Sequence, residues 1–127
     1  MTLYQSRASV TLSDNTTKEV YLTVPKGKIW KIYAIMMHNG DDVDRGAEVK
    51  IMDSNNNVLH GLSSTTITAG ARREMISHEP TAPASSIPFK FPVLIKGGNK
   101  LYLKWAAGGA SSGGTAYYCI TYEEVPE

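Results

Sequence analysis

The 127-residue chain lacks several features that would point directly to a function. Its one cysteine, Cys119, excludes an internal disulfide and a cysteine-rich zinc site. Cys119 lies in a run that alternates between the two faces of a strand, so its side chain is either buried or on the surface. Burial is the commoner fate of a lone cysteine. No secretory signal opens the chain, and no apolar run approaches the roughly 20 residues of a membrane span. We therefore expect a soluble protein that is made in a cytoplasm.

The chain also lacks an excess of charge of either sign. Thirteen basic and twelve acidic side chains give a formal net charge of +1, and both signs are scattered along the chain. Binding to nucleic acid depends on a concentrated basic face that neutralises phosphates. The composition therefore argues against a nucleic-acid partner.

Motifs for catalysis or phosphate binding are missing as well. No serine lies in a Gly-x-Ser-x-Gly sequence, and the glycine-rich segment 106–114 precedes no helix that could bind a phosphate. His38, His60 and His78 share no metal-ligand spacing and do not match a cupin-type metal oxygenase. We expect His38 on the apolar face of its strand, as a hydrogen-bonded core or strand-end side chain. We expect no enzyme, no cofactor and no small-molecule ligand.

What the chain does have is alternation of apolar and polar residues with a period of two, which is typical of a strand with one buried face. Segments 20–35 and 91–105 are built alike, with an apolar run, a tight Lys-Gly turn and an alternating run that carries one of the two tryptophans. We expect Trp30 and Trp105 to face each other across the core, and Tyr33 and Tyr102 to face outward. The side chains predicted to face inward are Val20, Leu22, Val24, Trp30, Ile32, Ala34, Met36, Leu101, Leu103 and Trp105.

Eight or nine such strands are separated by turn signals at the spacing of roughly 8–12 residues that is typical of sandwiches and barrels. Asn55, Asn56 and Asn57 form the clearest hairpin turn, because asparagine tolerates a positive φ. No long segment has a helical period. The sequence therefore predicts a single all-β, antiparallel domain.

Carboxylates are concentrated in one place, where Asp41, Asp42 and Asp44 lie within the polar segment 39–46. Three oxygen donors on a loop are a candidate calcium site. The spacing lacks the downstream bidentate glutamate of an EF-hand, and Arg45 lies among the carboxylates. We therefore expect a solvated loop, with a calcium site as the alternative.

The seven tyrosines are the most informative polar aromatic residues. Tyr33 lies two residues after Lys31, and Tyr102 lies two residues before Lys104. Each tyrosine therefore shares a predicted outward face with its lysine. Tyrosines in such positions pair across strands, form protein interfaces or stack against sugars. The tyrosines that we select as interface candidates are Tyr4, Tyr33 and Tyr102.

Residues 24–32, Val-Pro-Lys-Gly-Lys-Ile-Trp-Lys-Ile, resemble the entry into a long strand in small jelly-roll virion proteins of tailed bacteriophages. The apolar run, Gly-Gly turn and alternating strand at 91–102 follow in the same order as in those proteins. So do the tyrosine-rich last strand and acidic tail at 117–127. The resemblance implies an antiparallel jelly-roll-like β-sandwich over residues 9–127 and supplies no catalytic residues.

From this resemblance we expect a non-enzymatic decoration or cement protein on the capsid surface of a virion. Its partners would be the major capsid protein and copies of itself, in a trimer or dimer. The alternative is a carbohydrate- or receptor-binding module of a phage tail or fibre, marked by exposed coplanar aromatic rings flanked by Asp or Asn.

Two segments are candidate arms that would extend onto a neighbouring subunit. They are residues 1–8 and the proline-rich segment 78–88, in which Pro80 and Pro83 are interface candidates. Proline in an extended segment reduces the entropy lost on ordering. A floppy terminus and an ordinary long connection are the alternatives.

Overall fold

The computed structural model describes residues 2–13, 16–77, 92–108 and 113–127. Within these ranges the chain forms nine β-strands and no helix, and every strand pairing is antiparallel. The prediction of an all-β chain with eight or nine strands is confirmed. The strands are β1 (Tyr4–Leu12), β2 (Lys18–Thr23), β3 (Lys28–His38), β4 (Arg45–Met52), β5 (Val58–Ile67), β6 (Arg72–Ser77), β7 (Val93–Lys96), β8 (Lys100–Trp105) and β9 (Gly114–Pro126).

The strands form two sheets with an interleaved order. The first sheet runs β1-β9-β3-β6, and the second runs β2-β8-β4-β5. Strands β6 and β7 share one edge of β3. Strand β7 pairs with Ile29–Ile32, and β6 pairs with Ala34–His38. Eight strands that alternate between two sheets in this order form a double-sheet jelly roll. The predicted jelly-roll β-sandwich is therefore confirmed, with β7 as an additional strand.

The core lies between the two sheets and collects the inward side chains of the strands. Trp30 and Trp105 both belong to it, and Trp105 is completely buried. They do not face each other as predicted, because Trp30 lies near the start of β3 and the Trp105 indole N–H donates to the carbonyl of His38 at its end. The inward positions predicted for β2 and β8 are confirmed, since Val24, Leu101 and Leu103 are buried and the other β2 positions pack against them. Burial of this apolar surface is the main force that stabilises the fold.

The inward face of β3 differs from the prediction in its second half. A bulge lies between Ile32 and Ala34, so that Tyr33 is an extra residue in the pairing with β9. One extra residue moves every later side chain to the other face of the sheet. The buried residues beyond the bulge are Ile35 and Met37, and the predicted Ala34 and Met36 are only partly buried.

The first strand begins earlier than predicted. Residues 4–8 are the first half of β1, and the pairing with β9 runs without a break from Tyr4 opposite Tyr122 to Leu12 opposite Gly114. The interpretation of residues 1–8 as an arm is therefore wrong for residues 4–8. The alternation of residues 7–12 indicates the strand itself, but residues 4–6 are exposed or half-buried and carry no apolar alternation that would mark its start. Segment 78–88, with Pro80 and Pro83, lies outside the described residues and stays a prediction.

Four connections meet at one end of the sandwich, which we call the Arg45 end. The strand registers place them together, because Leu12 pairs with Gly114 and His38 pairs with Tyr117. The described residues of the connections at this end are Ser13 with 16–17, then 39–44, 68–71, and 106–108 with Gly113. The turns 24–27, 53–57 and 97–99 lie at the opposite end, where Asn56 has a φ of 62° as expected for an asparagine turn.

A buried ion pair fastens the Arg45 end. Arg45 is 1% exposed, and both its Nε and one terminal nitrogen lie 2.7 Å from Oδ2 of Asp41. The remaining guanidinium hydrogen bonds go to the backbone carbonyls of Ser13, Thr16 and Ala106, at 2.6 to 3.0 Å. One side chain therefore joins three of the four connections. Hydrogen bonding of this completeness is what makes a buried charge tolerable.

The fourth connection is held by Asn39, which is fully buried. Its amide nitrogen donates to the carbonyls of Val43 and Ile67, each at 2.9 Å, and its Oδ1 accepts the backbone N–H of Asp41 at 3.0 Å. A Cβ on Gly40 would overlap the Thr115 carbonyl, so the loop also packs directly on β9. Hydrogen bonds and close packing therefore join the described residues of the four connections.

We predict that Arg45→Met destabilises the protein by about 3–5 kcal/mol, because Asp41 would remain buried without its partner. Urea denaturation followed by tryptophan fluorescence measures this change. Arg72→Met is the matched control, since Arg72 is exposed, and it should alter stability by less than about 0.5 kcal/mol. Equal stabilities for the two variants would contradict the assigned role of Arg45.

Candidate interaction surfaces

The acidic segment predicted as a solvated loop or calcium site braces the Arg45 end. Asp41 is bound to Arg45, and its Oδ1 also accepts the N–H of Asp42 at 2.7 Å. Asp44 accepts the N–H of Ala69 at 3.0 Å. In the described ranges no group of three or more His, Cys, Asp and Glu side chains is arranged to hold a metal ion. Asp41, Asp42 and Asp44 are therefore not brought together as a ligand set, and Asp41 is buried rather than solvated.

The outer face of the first sheet carries a stack of three side chains. The ring of His38 lies 4.4 Å from that of Tyr117, with an interplanar angle of 20°, and the Arg7 guanidinium lies 4.9 Å from the Tyr117 centroid. Strand β9 runs between β1 and β3, so Tyr117 lies between Arg7 on one side and His38 on the other. The prediction that His38 lies on the apolar face is wrong, because the bulge at Tyr33 moves it outward. Its place at a strand end is as expected.

A shallow depression of about 430 Å³ adjoins this stack on the same face. Small side chains line it, including Ala34, Cys119 and Thr121, together with Arg72 and Glu74 from β6. Cys119 is half-buried and is a free thiol. The sequence did not reveal this depression, because it depends on the pairing of β9 with β3.

The tyrosines selected from the sequence have different environments. Tyr4 is 49% exposed, as an interface residue requires. Tyr33 is half-buried, with its hydroxyl 3.4 Å from the Glu123 carboxylate. Tyr102 lies on the outward face of β8 but is only 4% exposed, so its expected exposure is wrong.

Tyr102 is covered by its neighbours on the outer face of the second sheet. The ring of Tyr21 lies 5.1 Å away and the Lys50 ammonium 5.9 Å away, and the Tyr102 hydroxyl donates to Glu19 at 2.7 Å. Burial, followed by the bond to Glu19, raises the pKa of Tyr102. The same bond, with that from Tyr21, lowers the pKa of Glu19. Tyr102 is therefore part of a cross-strand cluster, which was the alternative to an exposed platform.

Six large apolar side chains are exposed among the described residues. Each is 43–56% exposed: Leu3, Tyr4, Tyr21, Val58, Leu59 and Leu94.

All six lie in the half of the sandwich remote from Arg45, which we call the apolar half. Tyr4 pairs with Tyr122, and Leu94 pairs with Lys31 near the start of β3. Val58 pairs with Met52, which in turn pairs with the first residue of β8. Tyr21 pairs with Tyr102, the third residue of β8, and is the member closest to the middle.

The apolar half has one rigid anchor. The Tyr4 ring lies 5.8 Å from that of Tyr122, which lies 4.5 Å from the Trp30 ring. The indole N–H of Trp30 donates to Glu124 at 3.0 Å. Tyr4 is thus the exposed end of an aromatic row that begins in the core. Of these six residues, the sequence analysis selected only Tyr4. A signal for Leu94 was present, because the run 93–95 is apolar at every position and must therefore place an apolar side chain on the outer face of the sheet.

Comparisons with known proteins provide little further information. No family model matches the chain, and no curated protein matches its sequence. A solved structure described as "CBM4 structure and function" has a TM-score of 0.37 and 14% identity, covering 95% of this chain and 71% of that chain. The structure of infectious bursal disease virus, Gx strain, has a TM-score of 0.35 and 11% identity, covering 93% of this chain and 32% of that chain. This chain thus spans about a third of the viral protein.

Similarities this weak carry no argument about function, and the fold assignment depends on the strand order itself. Among the described residues there is no helix long and apolar enough to span a membrane.

We predict that the pair of Tyr102 and Glu19 makes the folded protein less stable at alkaline pH. Above pH 10, the usual pKa of tyrosine, the unfolded chain loses the Tyr102 proton while the folded chain retains it. The unfolded state then binds fewer protons, so the free energy of unfolding falls as pH rises. Glu19→Gln should make this fall shallower, because it removes the charge that disfavours the phenolate.

Denaturant unfolding at several pH values above 9 measures this slope. Glu74→Gln is the control, since Glu74 is exposed on the other sheet. A slope for Glu19→Gln as steep as that of the control would contradict the coupling.

Proposed function

We propose that the chain is a non-enzymatic structural protein of a virus particle, which decorates and cements the capsid of a tailed bacteriophage. It would be made in the host cytoplasm and bind across neighbouring copies of the major capsid protein. Double-sheet jelly rolls are the architecture of many viral capsid and lectin domains, which supports a virion role. Because one fold hosts many functions, the surface must carry the proposal.

The observation that carries it is the one-sided placement of the exposed apolar side chains. An adhesive protein needs apolar groups that lose water on contact, held on a scaffold that does not deform. The apolar half supplies Leu59 and Leu94 on opposite sheets, and Tyr4 with a rigid aromatic support. The Arg45 end has its polar groups bound internally and offers no comparable anchors among the described residues.

The arrangement of the histidines supports a protein without catalysis. His38 stacks on Tyr117 in the first sheet, and His60 lies on β5 in the second sheet. These two side chains therefore do not converge on one site.

We predict that Leu59→Glu combined with Leu94→Glu weakens binding to capsid shells at least about tenfold. A buried leucine contributes about 1.5–3 kcal/mol, and about 1.4 kcal/mol corresponds to a factor of ten. Purified protein is mixed with shells that lack it, and the bound fraction is measured by co-sedimentation. The wild type should also raise the temperature at which the shells break.

Ser64→Glu combined with Thr66→Glu is the matched control. Both positions are exposed on β5, toward the Arg45 end, and carry the same added charge. The control should bind as the wild type does. The proposal fails if wild-type protein does not co-sediment and leaves shell heat resistance unchanged.

A second candidate is a carbohydrate-binding module, and one observation favours it. The stacked side chains of Tyr117 and His38 adjoin an open depression that is lined by Arg72 and Glu74. A depression that combines neighbouring aromatic side chains with a few charged hydrogen-bonding groups has the chemistry of a site for a polar ligand such as a sugar. A glycan array distinguishes the candidates: binding that Tyr117→Ala abolishes and Tyr21→Ala retains would favour this function, and the absence of any bound glycan would remove it.

A further inference from the structure

Among the described residues, no strand pairs with the second edge of strand β1. It is nine residues long, it pairs with β9 on one side without a register shift, and it is the terminal strand of its sheet in the described residues. Most of its residues are exposed. Arg7 is its only charged residue, and it contains neither proline nor lysine. Such an edge presents a row of backbone donors and acceptors that favours pairing with another strand.

The other sheet edges carry the features that prevent such pairing. Strand β5 has bulges next to Val49 and Ile51 of its partner. Strand β2 is six residues long, begins with Lys18 and Glu19, and leads to Pro25. The remaining edge is divided between the short strands β6 and β7. Bulges, charges, proline and short strands are recognised protections of an edge, and β1 has none of these except Arg7.

We propose that β1 pairs antiparallel with β1 of a second copy of this chain, across a twofold axis at Ala8. Opposite residues of two strands point to the same face of the sheet. A twofold register must therefore be centred on a residue, because centring between residues would place inward side chains opposite outward ones. Centring on Ala8 is the register that pairs the whole of Tyr4–Leu12.

The side chains fit this register. On the outer face, Arg7 comes opposite Ser9 and Gln5 opposite Thr11, so no charge meets its own kind directly. On the inner face, the exposed Tyr4 comes opposite Leu12, which is already buried, so the pair removes apolar surface of the Tyr4 ring from water. Ala8 meets itself on the axis with the smallest side chain of the strand. A second copy satisfies the edge at every position.

The pairing depends on the β1 edge alone, not on the proposed role in a virion. Its test uses purified chain without shells, so its failure would leave the capsid-binding experiment unaffected. A strand from a different protein is the other occupant that this edge would accept, and the test below separates the two.

The test exploits the twofold axis, because only at Ala8 does a single substitution meet itself. Sedimentation equilibrium should give the wild type twice the chain mass of 13.8 kDa. Ala8→Lys and Ala8→Glu should each be monomeric, since like charges would lie opposite each other. An equimolar mixture of the two variants should regain the doubled mass. Ala8 is exposed, so both variants should still unfold cooperatively, with the midpoint that the wild type has when it is diluted until it is monomeric.

A cross-link gives a second measurement. Opposite residues of an antiparallel pair have Cα atoms about 4.5–5.5 Å apart, within the range that a disulfide spans. Ala8→Cys with Cys119→Ser should oxidise to a dimer at least about tenfold faster than Ser6→Cys with Cys119→Ser, because Ser6 would face Val10.

Three results would overturn the proposal. A monomeric wild type would leave the edge free for a strand of another protein. Dimeric Ala8→Lys and Ala8→Glu variants would place the interface elsewhere. A mixture that stays monomeric would show that the charges do not meet. Ser64→Lys and Ser64→Glu are the controls, and both should keep the wild-type mass.

Discussion

The buried guanidinium of Arg45 holds together the end of the sandwich where the connections between the sheets meet. A jelly roll must cross between its two sheets repeatedly, and each crossing leaves backbone carbonyls without strand partners. Arg45 donates hydrogen bonds to three of these carbonyls and is neutralised by Asp41. Removing such a charge from water is costly, and the complete set of partners is what offsets that cost.

This constraint also determines where function can lie. Asp41 binds Arg45, and Asp44 accepts the backbone N–H of Ala69. The one cluster of acidic residues in the sequence therefore stabilises the fold. The Arg45 end is fixed, while the apolar half presents leucine, valine and tyrosine side chains to water. Exposed apolar side chains in one half, and a strand edge with which no described residue pairs, are features through which proteins associate. The proposals of capsid binding and of pairing through β1 share Tyr4, while Leu59 and Leu94 lie on β5 and β7, outside the β1 pair, and remain open to the capsid in a dimer.

Much of the fold could be predicted from the sequence, because alternation reports directly on which face is buried. It identified the inward residues of β2 and β8 and the burial of both tryptophans. It failed beyond Tyr33, since a bulge is a matter of pairing between strands and leaves no local signal. It also missed the start of β1, whose pairing with β9 spans the length of the chain.

The candidate surfaces were harder to predict for the same reason. Tyr102 has the pattern of an exposed tyrosine, yet Tyr21 and Lys50 from neighbouring strands cover it. Arg45 has the pattern of a loop residue, yet it is among the most buried side chains. Both depend on residues far away in sequence, which a single sequence without its fold does not bring together.

The central claim is that this jelly roll adheres to a capsid through its apolar half. An image reconstruction of shells incubated with the purified chain tests it most directly. The account predicts density for the chain on the outer surface of the shell, with Tyr4, Leu59 or Leu94 at the contact and the Arg45 end away from it. Shells without added density, or contacts made through the Arg45 end, would contradict the account.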